Sequence, residues 1–231
     1  MEELLARGLR ALGLSDGGAG PLARYGALLL EKNKVMNLTA ITDPADVAAL
    51  HFLDSAALLT LEDFLGKSVV DVGTGAGFPG LPLRILEPSV HLTLLDALGK
   101  RVSFLQEVCA ALELSDVDCV HARAEEFAAG HRERFDLAVS RAVAALPVLC
   151  ELSLPLVRVG GAFLAMKSVE SDEELRSARH AVELLGAEVS DVRDYAIPGT
   201  EVTHRLITLK KVRPTPVKYP RAFAKIKKAP L

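Results

Sequence analysis

Apolar residues recur at two periods along this chain, and the places where the period changes mark its elements. From Glu2 to Leu14 they fall at helical spacing until Ser15-Asp16-Gly17-Gly18 breaks the pattern. Pro21 to Met36 repeats it, with Leu22, Tyr25, Leu28 and Leu29 on one face. Asp43-Pro44 predicts the start of a third helix, with Asp43 as N-cap and Pro44 as first helical residue. That helix carries Val47, Leu50, His51, Asp54 and Leu58.

From Val69 onward, short β-rich runs alternate with helical ones. Strands are expected at Val69–Val72, Val90–Leu95, Val117–His121, Arg134–Ser140 and Gly161–Lys167. Between them fall a helix from about Gly99 to Leu112 and a mostly helical stretch from Val143 to Val157, with Pro147 and Pro155 near its ends. Ser171 and Glu174 form the sequence of a capping box for a further helix. Two last strands, near Glu188–Ala196 and Thr203–Val212, have only Pro198-Gly199-Thr200 between their facing ends and predict an antiparallel hairpin. Regular alternation implies a parallel sheet with right-handed crossovers. The expected fold is α/β and Rossmann-like: a mostly parallel seven-stranded sheet, an antiparallel terminal hairpin and N-terminal helices. That is the Class I methyltransferase arrangement rather than the all-parallel dinucleotide one. Residues 1–64 are expected to form a helical cap, 65–213 the core, and 214–231 a basic tail on or beyond it.

The first strand runs into Asp71-Val72-Gly73-Thr74-Gly75-Ala76-Gly77-Phe78-Pro79-Gly80. Gly73, Gly75 and Gly77 let the backbone turn sharply and approach a ligand. Such a turn serves nicotinamide dinucleotides, flavins and S-adenosylmethionine alike. Asp71, two residues before the first glycine, favours the last: a carboxylate repels a pyrophosphate and attracts a sulfonium or ammonium. The competing reading makes Asp71 a cap for the turn. Asp96, at the end of the second strand, is placed for ribose hydroxyls or for an N-cap. Ala124-Glu125 follows the third strand, where methyltransferases receive adenine, although Glu125 also suits an exposed first turn. The fourth strand ends in Ser140-Arg141-Ala142-Val143, with neither an Asn/Asp-Pro-Pro-aromatic motif nor a Pro-Cys nucleophile. Arg141 suits a polyanion or the O6 and N7 edge of guanine, unless it pairs with a site acid.

Charge adds a partner class. The net charge of −3 conceals nine basic and no acidic residues after Glu201, which leaves eighteen basic against thirty acidic residues before that point. A basic end on an acidic body predicts an anionic partner or a solvated tail. Tyr219 and Phe223, interleaved with the charges, offer rings for base stacking. Cys109, Cys119 and Cys150 lack C-x-x-C spacing and read as reduced cysteines, so neither disulfides nor metal ligands are expected. No unbroken apolar run of ~18 residues predicts a membrane span, and the acidic Met1-Glu2-Glu3 start is unlike a secretory leader. A cytoplasmic monomer is expected.

Several blocks together resemble the RsmG (GidB) small-subunit rRNA methyltransferases of bacteria. They are Asn33 to Ile41, His51 to Ser55, Asp71 to Pro82, Lys100 to Leu105, Arg123-Ala124-Glu125, Ser140 to Val143 and Met166-Lys167. The resemblance covers about residues 20 to 220. It implies S-adenosylmethionine as cofactor and methylation of guanine N7 at position 527, in the 530 loop of 16S rRNA, on the RNA or a 30S assembly particle. It also implies cofactor contacts at Gly73, Phe78, Asp96, Ala97, Leu98, Ala124, Glu125 and Arg141, and positions facing RNA or shaping the site at Asn37, His51, Lys100, Arg101, Arg123, Lys167 and Arg221. Tyr219-Pro220-Arg221 matches the family pattern, but Ala224 and Ile226 stand where a glycine and a proline are usual. Guanine N7 has a free lone pair and no proton to lose, so Arg141 and His51 are expected to position rather than to act as bases. His51 equally suits a structural hydrogen-bonder that Asp54, three residues on, would orient. The alternatives are a nicotinamide-dependent oxidoreductase, or a non-catalytic RNA-binding protein that retains the fold.

Overall fold

The structure is a computed structural model that describes residues 1–141 and 143–231. The expectation for Ala142 lies outside the described residues. Seven strands form one sheet in the order β3-β2-β1-β4-β5-β7-β6: β1 (Ser68–Val72), β2 (His91–Asp96), β3 (Val117–His121), β4 (Phe135–Arg141), β5 (Val157–Ser168), β6 (Ala187–Ala196) and β7 (Thr203–Lys211). The first five are parallel, and β7 lies antiparallel between β5 and β6. β5 starts four residues before the expected Gly161, because Val157 pairs with Phe135 before a bulge shifts the register and sets Ala162 opposite Leu137.

The helices described are α1 (Glu2–Ala11), α2 (Ala19–Met36), α3 (Pro44–Val47), α4 (Asp54–Ala56), α5 (Gly80–Leu86), α6 (Gly99–Ala111), α7 (Ala124–His131), α8 (Leu146–Ser153), α9 (Asp172–Leu184) and α10 (Phe223–Lys228). Asp43 caps α3 as expected, accepting from the Ala45 and Asp46 N–H groups. The third helix is not uniform, however. A π-helical turn, Ala48–Leu53, joins α3 to α4, and a 3-10 turn, Ala57–Thr60, follows. The capping box at Ser171 is not formed. The Ser171 hydroxyl is buried without a partner, and Glu174 instead accepts from the Leu146 N–H at 2.9 Å and pairs with Lys167 at 2.7 Å.

Alternate strand residues bury on opposite faces. Val69, Leu92, Leu94, Leu137 and Leu164 share one core with α1, α2, the helical run at 44–60, α5 and α6. Val70, Val72, Ala138, Phe163 and Ile207 share the other with α8, α9, Tyr219 and Ile226. The N-terminal helices are therefore packed as one layer of the sheet's own core, and the tail is anchored in the second.

The glycine turn is clamped from the N-terminal side. Tyr25 of α2 donates its hydroxyl to the Ala76 carbonyl and stacks on Phe78, with ring centroids 5.4 Å apart. Phe52 meets both rings edge-on at 5.2 and 5.3 Å. Gly77 has φ +101°, and a Cβ there would lie 2.2 Å from the Tyr25 hydroxyl, so only glycine fits beneath this block.

Candidate active site

At the C-terminal ends of β1, β2 and β4, where the strand order reverses direction, lies a cavity of about 490 Å³. This is where open α/β sheets bind ligands. Its first wall is the turn after β1. Gly75 has φ +62°, and its N–H donates to Asp96 Oδ2 at 2.9 Å. Asp96 Oδ1 accepts from the Leu98 N–H at 2.8 Å, which orders the start of α6, and Arg101 sits 3.4 Å from the same carboxylate. Ala97 and the exposed Leu98 give this side an apolar surface.

The second wall is the start of α7. Arg123 donates from Nε to Glu125 Oε1 at 2.8 Å, and its guanidinium lies 4.4 Å over the Phe223 ring. Ala124 lines the cavity between them. Phe223 thus brings the last helix to the rim.

The third wall is built around Arg141, at the end of β4. Its Nη1 donates to the Leu50 carbonyl at 2.8 Å and to Asp54 at 2.9 Å, and its Nη2 donates to His51 Nδ1 at 2.9 Å. Because Nδ1 accepts, the neutral ring carries its proton on Nε2 and donates it to Thr39 Oγ1 at 2.8 Å. Asn33 holds the Thr39 segment, accepting from the Leu38 and Thr39 N–H groups at 2.6 and 2.9 Å. His51 also stacks on Phe78, centroids 4.6 Å apart. Burial, with the Arg141 charge, holds its pKa down to about 4. Near neutral pH it is therefore an uncharged ring with both nitrogens engaged. The π-helical turn places His51 and the Leu50 carbonyl together toward Arg141.

The chain's relatives agree with one another. A family model described as rRNA small subunit methyltransferase G (GidB) matches residues 20–203. The chain belongs to this family. A ribosomal RNA small subunit methyltransferase G from Alkaliphilus oremlandii is 45% identical over 236 residues, spanning 100% of this chain and 99% of that protein. The protein of the same name from Acetivibrio thermocellus is 43% identical, spanning 100% and 97%. Among solved structures, TrmN from Thermus thermophilus is similar with a TM-score of 0.54 and 23% identity, over 68% of this chain and 48% of that one. M. jannaschii TYW2, solved in complex with AdoMet, gives 0.56 and 12% over 69% and 75%. These two share the fold.

In this chain, His51, Gly73, Gly75, Phe78, Asp96, Ala97, Leu98, Arg101, Arg123, Ala124, Glu125 and Arg141 line one cavity. Five expectations give way to the geometry. Asp71 lies under the floor, fully buried, where Oδ2 accepts from Thr74 Oγ1 at 2.7 Å and the Gly80 N–H at 2.8 Å. It braces the turn and does not face the ligand space. Gly77 points into the core against Tyr25, Leu81 and Leu105. The Lys167 side chain is largely covered and donates to the Ala144 carbonyl at 2.7 Å as well as to Glu174, so its charge is satisfied internally. Arg221 closes on Glu151 and is likewise a structural cation. Tyr219, expected to stack on bases, is buried in the second core. Asn37 and Lys100 are exposed, and Asn37 ends α2 in the left-handed conformation that asparagine tolerates.

Arg141 pairs with Asp54, and Asp54 reaches His51 only through it. Sequence reasoning missed Thr39, Tyr195 and His204, the other members of this cluster. Thr39 and Asn33 lay in a recognisable polar block; no local signal marked Tyr195 or His204. Among the described residues no helix is long and apolar enough to cross a membrane, and no group of three or more His, Cys, Asp or Glu is placed to hold a metal ion. The three cysteines are free.

Proposed function

We propose that the chain transfers a methyl group from S-adenosylmethionine to N7 of a guanine in small-subunit ribosomal RNA, namely G527 in the 530 loop of 16S rRNA. The observation that carries this reading is the catalytic rim: a fixed arginine beside a neutral histidine whose two nitrogens are both occupied. Such a rim orients a base and removes no proton, which suits a nitrogen that already presents a lone pair. The family's name supports ribosomal RNA as substrate.

The residues present fit the cofactor. Asp96 stands at the end of β2 for ribose hydroxyls, and Ala97, Leu98, Ala124 and Glu125 offer an apolar slot with one acceptor for adenine. Gly73, Gly75 and Phe78 leave the turn open to the methionine portion. The Asp71 carboxylate buried beneath the turn disfavours a dinucleotide pyrophosphate there, whereas Asp96 suits the ribose of either cofactor. When bound, the cofactor supplies a methyl group on a sulfonium. The chain's part is to exclude water with Phe78, Val143 and Phe223, and to hold the base with Arg141. RNA contact falls to exposed groups around the mouth: Asn37, Lys100 and, on α10, Lys225, Lys227 and Lys228. Arg101 and Arg123 at the rim add positive charge. The chain acts as a cytoplasmic monomer on 16S rRNA or a 30S assembly particle.

Labelled S-adenosylmethionine incubated with the protein and unmethylated 30S particles, or naked 16S rRNA, tests the reading. The expected product is 7-methylguanosine at position 527. Its absence where a control enzyme yields it refutes the proposal, and tight NADH binding in its place returns the oxidoreductase reading.

A further inference from the structure

Behind Arg141 lies a group that the cavity does not touch. Asp54 is fully buried and receives three side-chain hydrogen bonds: from Arg141 Nη1 to Oδ2 at 2.9 Å, and from the Tyr195 hydroxyl and His204 Nδ1 to Oδ1 at 2.8 and 2.9 Å. Tyr195 and His204 face each other across the register of β6 and β7. The terminal hairpin therefore reaches the catalytic rim through this one carboxylate. Burial alone would raise the Asp54 pKa, but the bonds from His204 and Arg141 outweigh it and leave the group below its ordinary range, hence ionised. Among the described residues, Asp54, the Leu50 carbonyl and His51 engage three of the Arg141 N–H groups, which leaves Nε–H and one Nη2–H for a ligand.

The charge balance of the proposed reaction gives this arrangement a purpose. As the N7 lone pair forms the new bond to the methyl carbon, the carbon–sulfur bond breaks and its electron pair stays on sulfur. Sulfur becomes neutral, the purine becomes a cation, and no proton leaves. A bare guanidinium beside that purine opposes the transfer, and the low-dielectric wall strengthens the opposition.

We infer that Asp54 is a positioning residue for methyl transfer: it fixes the Arg141 guanidinium and cancels its charge, so that the rim accepts the cation formed on the methylated base. This rests on the function proposed above. Tyr195 and His204 hold the carboxylate in place, which makes the hairpin part of the active-site support.

The test uses the purified full chain with S-adenosylmethionine and unmethylated 30S particles. Asp54→Asn keeps the shape and removes the charge. Its single-turnover rate is expected to fall about tenfold or more, while cofactor Kd and particle KM stay within about threefold of wild type. It is also expected to discriminate more strongly than wild type against an RNA hairpin carrying 7-methylguanosine relative to the unmodified hairpin. His204→Ala should lower the rate, and His204→Gln, which keeps an N–H donor, should restore most of it. Should Asp54→Asn fail to fold, the His204 pair and Tyr195→Phe carry the same comparison. An unchanged single-turnover rate, or a loss confined to KM, overturns the inference. A wild-type protein that makes no 7-methylguanosine overturns instead the function on which it rests.

Discussion

Arg221 grips Glu151 through two nearly parallel bonds, Nε to Oε1 at 2.8 Å and Nη2 to Oε2 at 2.6 Å. The Arg221 backbone N–H adds a third at 2.8 Å. Glu151 is fully buried on α8, so the tail is fastened to the second core by a carboxylate that has no water to fall back on. Arg221→Ala would strand that charge and should destabilise the fold by about 3 kcal/mol. Arg221→Lys should recover only part, because an ammonium cannot fill both oxygens in the same plane. Urea unfolding of the three proteins decides this; an Arg221→Ala chain as stable as wild type would return the residue to the RNA surface.

Asp71 gives a pH signature. Burial pushes its pKa up to about 6, against the bonds from Thr74 and Gly80 that favour the charge. In the unfolded chain the group titrates near its ordinary value of 3.8. Between these two values the folded chain holds the proton more tightly, so ionisation costs stability as pH rises through the window. The stability of wild type relative to Asp71→Asn should fall by about 3 kcal/mol in all from about pH 3 to 7, about 2 kcal/mol of it between pH 4 and 6. Paired unfolding curves across that range measure the difference, and parallel curves would count against a raised pKa.

His51 should remain neutral well below the range of an ordinary histidine. Its pKa of about 4 lies below the ordinary histidine value of 6.5. Protonation therefore favours the unfolded chain, and the stability it represents is complete above about pH 6.5 and lost as pH falls toward 4. Heteronuclear NMR of the ring should show a single Nε2–H tautomer at pH 7. The single-turnover rate should show no inflection from this group between pH 6 and 8. An imidazolium signal at pH 6, or a rate that follows such a titration, would restore His51 as a base.

Lys100 and Lys167 should separate cleanly. Lys100→Ala should weaken RNA binding with little sequence preference and reduce the slope of log affinity against log salt by about 1. Lys167→Met should leave that slope alone and lower the melting temperature, because it removes the partner of Glu174 and of the Ala144 carbonyl. Salt-dependent binding isotherms and thermal melts on both variants make the comparison.

What could be read in advance was mostly local. The glycine turn, the acid at the end of β2, the Asp43 cap and the hairpin each rest on residue types whose preferences act over a few positions. The alternation of strands and helices then left little freedom in topology. Positive charge was the least legible feature. A lysine or arginine announces a charge but not its direction, so Lys167 and Arg221 read as surface cations until Glu174 and Glu151 were seen beside them. The Asp54 cluster was hidden for a different reason. Tyr195 and His204 lie 141 and 150 residues away in sequence, and only the return of the hairpin brings them near. The π-helical turn escaped because Val47, Leu50, Asp54 and Leu58 fit an ordinary helical repeat, whereas the wider turn buries Val47 and Ala48 and then, five residues on, Phe52 and Leu53.

The stack of Tyr25 on Phe78 also offers a spectroscopic handle. The chain contains no tryptophan and three tyrosines. Tyr25 lies against the glycine turn, Tyr195 bonds to Asp54, and Tyr219 is buried in the second core. Each phenol thus samples a different part of the molecule, with no indole emission to mask it. Near-ultraviolet circular dichroism of the unlabelled protein should respond to ligand entry through Tyr25 and Tyr195, while Tyr219 reports on docking of the tail. Tyrosine-to-phenylalanine variants would assign each band, so the loading of the site and the seating of the tail become observable as separate events.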